Sequence, residues 1–185
     1  MPDLLFLCHR VPYPPNKGDK IRAWHVLVHL ARTHRIHLGC LADEPVGDVE
    51  MEALRRVCDS VGCFATRPGV QKLRALAGLR PARPLTVDFF YNAGLARWIE
   101  ERLARQPIDR WYVFSSGMAA YGFGRRAAIR VLDMVDVDSE KWRAYAPHHG
   151  WPMRAIYRRE ADTLFALERR AVAEFDRTLF VSAAE

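Results

Sequence analysis

Short apolar runs of strand length, separated by longer stretches of helical periodicity, constrain this chain more than any other feature. The apolar runs lie at 4–8, 36–41, 63–65, 111–114, 131–135 and 178–181. Between them apolar residues recur every three or four positions, which predicts helices. One is expected over 19–34, with Ile21, Trp24, Leu27, Val28 and Leu30 as its stripe. A second is expected over 48–61 with Met51, Leu54 and Val57, and a third over 93–105. A long one over 151–174 opens with Pro152, at a turn where a missing N–H costs little. Strands that alternate with helices are joined in parallel by crossovers. The expectation is an α/β chain, a Rossmann-like open parallel sheet with helices on both faces.

A chain of 185 residues suits one domain with a single large core. No apolar run approaches the ~20 residues that cross a bilayer, and no secretory leader pattern opens the chain. Cys8, Cys40, Cys58 and Cys63 are scattered and lack zinc-knuckle spacing, so they read as buried free thiols in a reducing cytoplasm. The net charge of +6, mostly arginine, favours anionic partners such as phosphorylated substrates or an acidic membrane face. Its arginine pairs are dispersed along helices as solvated faces, and no RNA-binding or zinc-finger spacing appears, so no nucleic-acid partner is expected. Between 67 and 84, Pro68, Gly69, Gly78, Pro81 and Pro84 interrupt the pattern. There Leu73, Leu76 and Leu79 with Lys72, Arg74 and Arg80 suggest a short cationic helix, either packed on its own domain or lying on a membrane face.

Three clusters could carry chemistry. The first strand feeds His9-Arg10-Val11-Pro12-Tyr13-Pro14-Pro15-Asn16-Lys17-Gly18-Asp19-Lys20, a proline-stiffened loop at the carboxyl end of a strand, where open sheets bind ligands. Gly18 permits close backbone approach or a positive φ. Lys17, Lys20 and Arg22 gather at a helix N-terminus, whose N–H groups favour an anion such as a diphosphate. The competing reading is a rigid loop in which Asp19 only caps the helix. The second cluster holds Asp133, Asp136 and Asp138 with Ser139 and Glu140. Asp138 or Ser139 can cap the next helix with Glu140 in its first turn, while an acid at the strand end can act as base towards a hydroxyl. The third is Ser115-Ser116-Gly117, suited to hydrogen bonding a sugar or phosphate, with no G-x-S-x-G pattern around it. No histidine is placed for a metal.

These blocks, together with Val135-Asp136-Val137-Asp138-Ser139-Glu140-Lys141-Trp142, Trp151-Pro152-Met153-Arg154, Tyr157-Arg158-Arg159-Glu160 and Phe180-Val181-Ser182, give the chain its resemblance. It resembles the N-terminal half of a GT-B-fold, family 4-like retaining glycosyltransferase, and is similar in particular to the sugar transferases associated with PEP-CTERM/exosortase exopolysaccharide systems. The resemblance implies that residues 1–181 form the acceptor-side lobe and that 182–185 begin the crossover to a C-terminal donor-binding lobe. The abrupt passage from a strand into the last residues carries the same expectation. This half alone would then be inactive. The resemblance assigns the donor's phosphates to Lys17, Gly18, Asp19 and Lys20. Acceptor binding falls to His9, Arg10, Tyr13, Ser115, Ser116, Asp138 and Glu140. Asp136 takes the catalytic position, in a Val135-Asp136 pair where relatives carry His-Asp.

A nucleotide sugar is expected as donor substrate, a glycan or lipid-linked molecule as acceptor, and no obligatory metal or other cofactor. The expected place is the cytoplasm, with peripheral contact at the inner membrane face. The alternative is a non-catalytic Rossmann-like module for a phosphorylated ligand or a protein partner. A nicotinamide enzyme is disfavoured because the first turn lacks G-x-G-x-x-G.

Overall fold

The computed structural model describes residues 1–66, 69, 83–125, 127 and 129–182. The cationic segment expected at 72–80 and the crossover beyond Ser182 lie outside the described residues. Six strands form one sheet: β1 (Asp3–Cys8), β2 (Arg35–Ala42), β3 (Ser60–Ala65), β4 (Arg110–Phe114), β5 (Ile129–Asp133) and β6 (Arg177–Leu179). All pairings are parallel, in the order β3-β2-β1-β4-β5-β6. This is a Rossmann-like open sheet, and the strand order reverses between β1 and β4. The helices are α1 (Gly18–Leu30), α2 (Asp48–Arg55), α3 (Leu85–Phe90), α4 (Ala93–Arg105), α5 (Asp138–Tyr145) and α6 (Met153–Glu174).

The central strand explains the architecture. In β1 successive side chains point to opposite faces, and both faces are apolar, as parallel strands covered on both sides require. Leu5 and Leu7 pack with Leu95 and Ile99 of α4 and Ala171 of α6. Leu4, Phe6 and Cys8 pack with Ala23 and Leu27 of α1 and Leu54 of α2. Helix α4 seats closely on β2: a Cβ at Gly39 would come within 2.8 Å of Leu95 Cδ1. Cys8, Cys40 and Cys63 stand in register across β1, β2 and β3. All four cysteines are free, Cys63 half-buried and the others buried, with Cys40 and Cys63 sulfurs 3.3 Å apart.

Several boundaries differ from the sequence reading. Helix α1 stops at Leu30, and residues 31–34 close a turn on the Leu27, His29 and Leu30 carbonyls before β2. Helix α2 stops at Arg55, after which Val57 and Cys58 both bond to the Leu54 carbonyl. Strand β3 therefore begins at Ser60, and its pairing with His37 outweighs the polar composition of its first residues. Strand β5 ends at Asp133 because Val135 adopts φ +66°. Strand β6 spans Arg177–Leu179, one residue earlier at its start and two earlier at its end than expected. Helix α3, with Thr, Val and Phe in six residues, carries little helical signal of its own.

Candidate functional site

The site begins where β1 ends. His9 stacks parallel to Phe114 at 5.9 Å and edge-on to Phe90 at 5.7 Å. Its Nε2 lies 3.2 Å from Asp19 Oδ2, and Arg10 Nη1 donates to the same oxygen at 2.9 Å. Arg10 Nε also reaches Asp43 Oδ2 at 3.2 Å, just past β2. The hydrogen bond with His9, then the charges of His9 and Arg10, hold the Asp19 carboxyl well below the usual carboxylate range. Asp19 thus clips the loop to the first turn of α1, and its Oδ1 also accepts from the Lys20 amide of that turn at 3.0 Å, although it does not hold the N-cap position. Lys17 holds the N-cap position and makes no side-chain cap bond.

Lys20 occupies the sheet-facing side of the same turn with Ala23 and Leu27. Only 5% of it is exposed, and its ammonium has no hydrogen-bond or ion-pair partner among the described residues and keeps a contact with solvent. Helical side chains lean towards the helix N-terminus, so the ammonium leans towards the loop. Gly18 opens the helix without a positive φ, and a Cβ there would meet nothing within 4 Å. Open space therefore lies beside the backbone at this turn. Lys17 sits half-exposed on Glu44 at 3.2 Å. Arg22 is not free for a ligand: its Nε and Nη2 lie 3.0 and 2.9 Å from Asp133 Oδ2.

Asp133 is fully buried and structural. Besides Arg22 it accepts from the Tyr112 hydroxyl at 2.7 Å and from Val135 N at 3.2 Å. Burial and that hydrogen bond push the Tyr112 hydroxyl well above its usual range. The carboxyl ends of β4 and β5 are strained. Ser115 has φ +85° and Val135 φ +66°, values that non-glycine residues, and β-branched ones above all, seldom adopt. The Ser115 amide bonds to the Asp133 carbonyl at 2.8 Å, and the buried Ser116 hydroxyl donates to Asp138 Oδ2 at 2.9 Å. Lys141 Nζ lies 2.6 Å from Asp136 Oδ2 and 3.2 Å from Asp138 Oδ1. Phe90 lies against Gly117, where a Cβ would come within 2.3 Å of its ring, so the His9 wall and the Ser116 wall meet.

Neither Asp138 nor Ser139 caps α5. The caps come from α6. Glu168 accepts from Ser139 N at 3.2 Å and from its hydroxyl at 2.5 Å. Glu160 does the same for α3, accepting from Leu85 N, Thr86 N and the Thr86 hydroxyl at 2.7, 2.8 and 2.8 Å. Burial raises the Glu168 carboxyl above its ordinary value, with the Ser139 bonds opposing. Two residues expected in the site stand apart from it. Tyr13 packs on Trp24 at 5.0 Å, and Glu140 pairs with Arg143 on the exposed side of α5. A groove of about 590 Å³ opens beside Gly117, between α3 and α6, lined by Tyr91, Tyr121, Phe123 and Leu167 with Arg83 and Arg170.

Asp43, Glu44, Lys141 and Phe90 were not singled out in the sequence. Asp43 and Glu44 directly follow β2 at the same sheet edge as the His9 loop, which is the signal that could have found them. Among the described residues no three His, Cys, Asp or Glu side chains converge as a metal site, and no helix is long and apolar enough to cross a membrane. No protein-family model, curated protein or solved structure matches the chain.

Proposed function

We propose that the chain binds the diphosphate of a nucleotide sugar at the exit of β1, as the acceptor-side lobe of a retaining glycosyltransferase of the GT-B class. The observation that carries this reading is Lys20. Its stem is buried while its ammonium, unpaired among the described residues, keeps a contact with solvent, and it stands in the first turn of α1, whose amides also attract an anion. A diphosphate there would satisfy both at once.

In that reaction the acceptor oxygen bonds to the anomeric carbon as the bond from that carbon to the diphosphate breaks, and the hydroxyl's proton passes to the departing diphosphate oxygen. The leaving diphosphate gains negative charge. Lys20 and the α1 amides stabilise that charge, without reorganising, in a site shielded from water. Asp136, half-exposed and next to the strained Val135, orients the acceptor hydroxyl, with Lys141 fixing its carboxylate. Ser116 and Asp138, bonded to each other, shape the wall behind it. The glycan or lipid-linked acceptor approaches from the aromatic groove beside Gly117. Closure of a donor-binding lobe over this face would exclude water and keep the sugar from hydrolysis.

Calorimetric titration with UDP, GDP and inorganic pyrophosphate tests the anion site. Lys20→Met is expected to lower affinity at least tenfold while leaving the ligand-free melting temperature little changed, because the ammonium makes no bond within the fold. Equal affinity in Lys20→Met, or no binding of any diphosphate, would overturn the assignment. Binding of pyrophosphate with no preference for nucleoside diphosphates would instead favour the non-catalytic phosphate-binding module.

A further inference from the structure

Helices α5 and α6 form an antiparallel arm that stands beyond the carboxyl edge of the sheet. Its foot is the Ser139–Glu168 contact, just past the end of β5. Helix α6 stays bonded to α3 as far back as Glu160, and from there to Met153 it extends about 10 Å further at ~1.5 Å per residue. Trp142 and Tyr157 pack together midway at 5.1 Å, and His149 sits edge-on to Tyr157 at 4.8 Å. The tip itself is uncovered. Trp151 is 87% exposed, Tyr145 54% and Met153 40%, with Pro147, His148 and Pro152 exposed around them.

The charge around this apolar tip has one sign. From Lys141 to Arg159 the chain carries five Lys and Arg and no Asp or Glu; Lys141, Arg143 and Arg159 pair with flanking acids, which leaves Arg154 and Arg158 as the uncompensated charge of the tip. Arg154 and Arg158, one turn apart on the exposed start of α6, have no side-chain partner among the described residues. An exposed tryptophan normally costs solvation. Here it is joined by a second aromatic, a methionine and two free guanidinium groups at the end of a projecting arm.

We propose that this tip docks on an anionic lipid bilayer, with Trp151, Tyr145 and Met153 entering the interface and Arg154 and Arg158 facing lipid phosphates. Trp and Tyr favour the depth where acyl chains meet headgroups, and each surface arginine adds about 1 kcal/mol on an anionic leaflet. Bilayer insertion suits a small convex knob. A specific protein interface needs about 800 Å² per partner, more than three side chains of about 150–250 Å² each supply. Docking would also turn the mouth of the β1–β4–β5 site towards the membrane. None of these residues belongs to the proposed diphosphate site, so the inference stands or falls separately from it.

The test is sedimentation with vesicles of phosphatidylcholine containing one part in four phosphatidylglycerol, beside vesicles of phosphatidylcholine alone. The wild-type chain is expected to sediment with the anionic vesicles only and to show a blue shift in tryptophan emission that Trp151→Phe removes. Arg154→Ala with Arg158→Ala should weaken binding on the order of thirtyfold, about 2 kcal/mol. Trp151→Ala with Met153→Ala should weaken it at least tenfold. Far-UV circular dichroism checks that both variants keep the fold, as expected for uncovered side chains. Absence of binding to anionic vesicles, or unchanged binding by both folded variants, would overturn the proposal. Self-association in solution that Trp151→Ala abolishes would also overturn it and reassign the tip to a contact between copies.

Discussion

At the scale of single residues, Asp133 has the sharpest consequence. Its carboxylate is fully buried and meets Arg22, Tyr112 and Val135 together. Asp133→Asn would leave the Arg22 guanidinium without its counter-charge and is expected to cost about 3 kcal/mol, the lower end for broken buried pairs because Arg22 is partly solvated. Urea denaturation measures this, and Arg22→Met in the same chain should recover part of the loss. The sequence grouped Asp133, Asp136 and Asp138 in one cluster, with Asp138 a cap candidate and Asp136 singled out only by the resemblance. They differ because β5 stops at Asp133, and the positive φ of Val135 then separates the buried acid from the two exposed to the site. Alternation along a strand cannot reveal that. The roles of Lys17 and Lys20 were equally unreadable, since only packing shows that one is paired at the surface and that the other lays its stem against the sheet with an unpaired ammonium.

At the scale of elements, α6 is the organiser. Glu160, Ala161, Leu164, Glu168 and Ala171 form its buried face, and the two acids supply cap bonds that α3 and α5 lack for themselves. An acid inside an apolar stripe at helical spacing is the trace this leaves in the sequence, and that trace was not read. The Glu168 carboxyl is raised by burial above its ordinary 4.5. Such a group contributes stability that is present below that value and is lost as pH rises through its raised titration range. The stability of the chain relative to Glu168→Gln should therefore fall as pH rises above 4.5, measured by thermal melts at successive pH values. A difference that rises with pH would contradict the shift.

At the scale of the molecule, the fold was the most legible property. A sheet covered on both faces forces its strands to be apolar throughout, and β1 and β2 showed that plainly. Topology led to the carboxyl edge as the place of the candidate site, while the pairing among its residues was not legible. Acid sensitivity also belongs to this scale. Asp19 clips the carboxyl edge, held low by His9 first and then Arg10. Asp3 clips the amino edge, where bonds from Arg35 and His37 outweigh its burial. Both contribute stability above their ordinary value of 3.8 that is lost as pH falls below it. Circular dichroism during acid titration should show a shallower loss below that pH in Asp3→Asn with Asp19→Asn.

The Arg22–Asp133 contact joins residues 111 positions apart. Contacts of such separation must overcome a large loop-closure entropy before they return any stabilisation. During synthesis α1 can pack on β1 and β2 early, through Ala23 and Leu27, but Arg22 has no Asp133 to meet until β5 has been made and has found β4. The tether between the first turns of α1 and the end of β5 is therefore completed late, and a nascent chain lacking β5 leaves the Arg22 guanidinium in water.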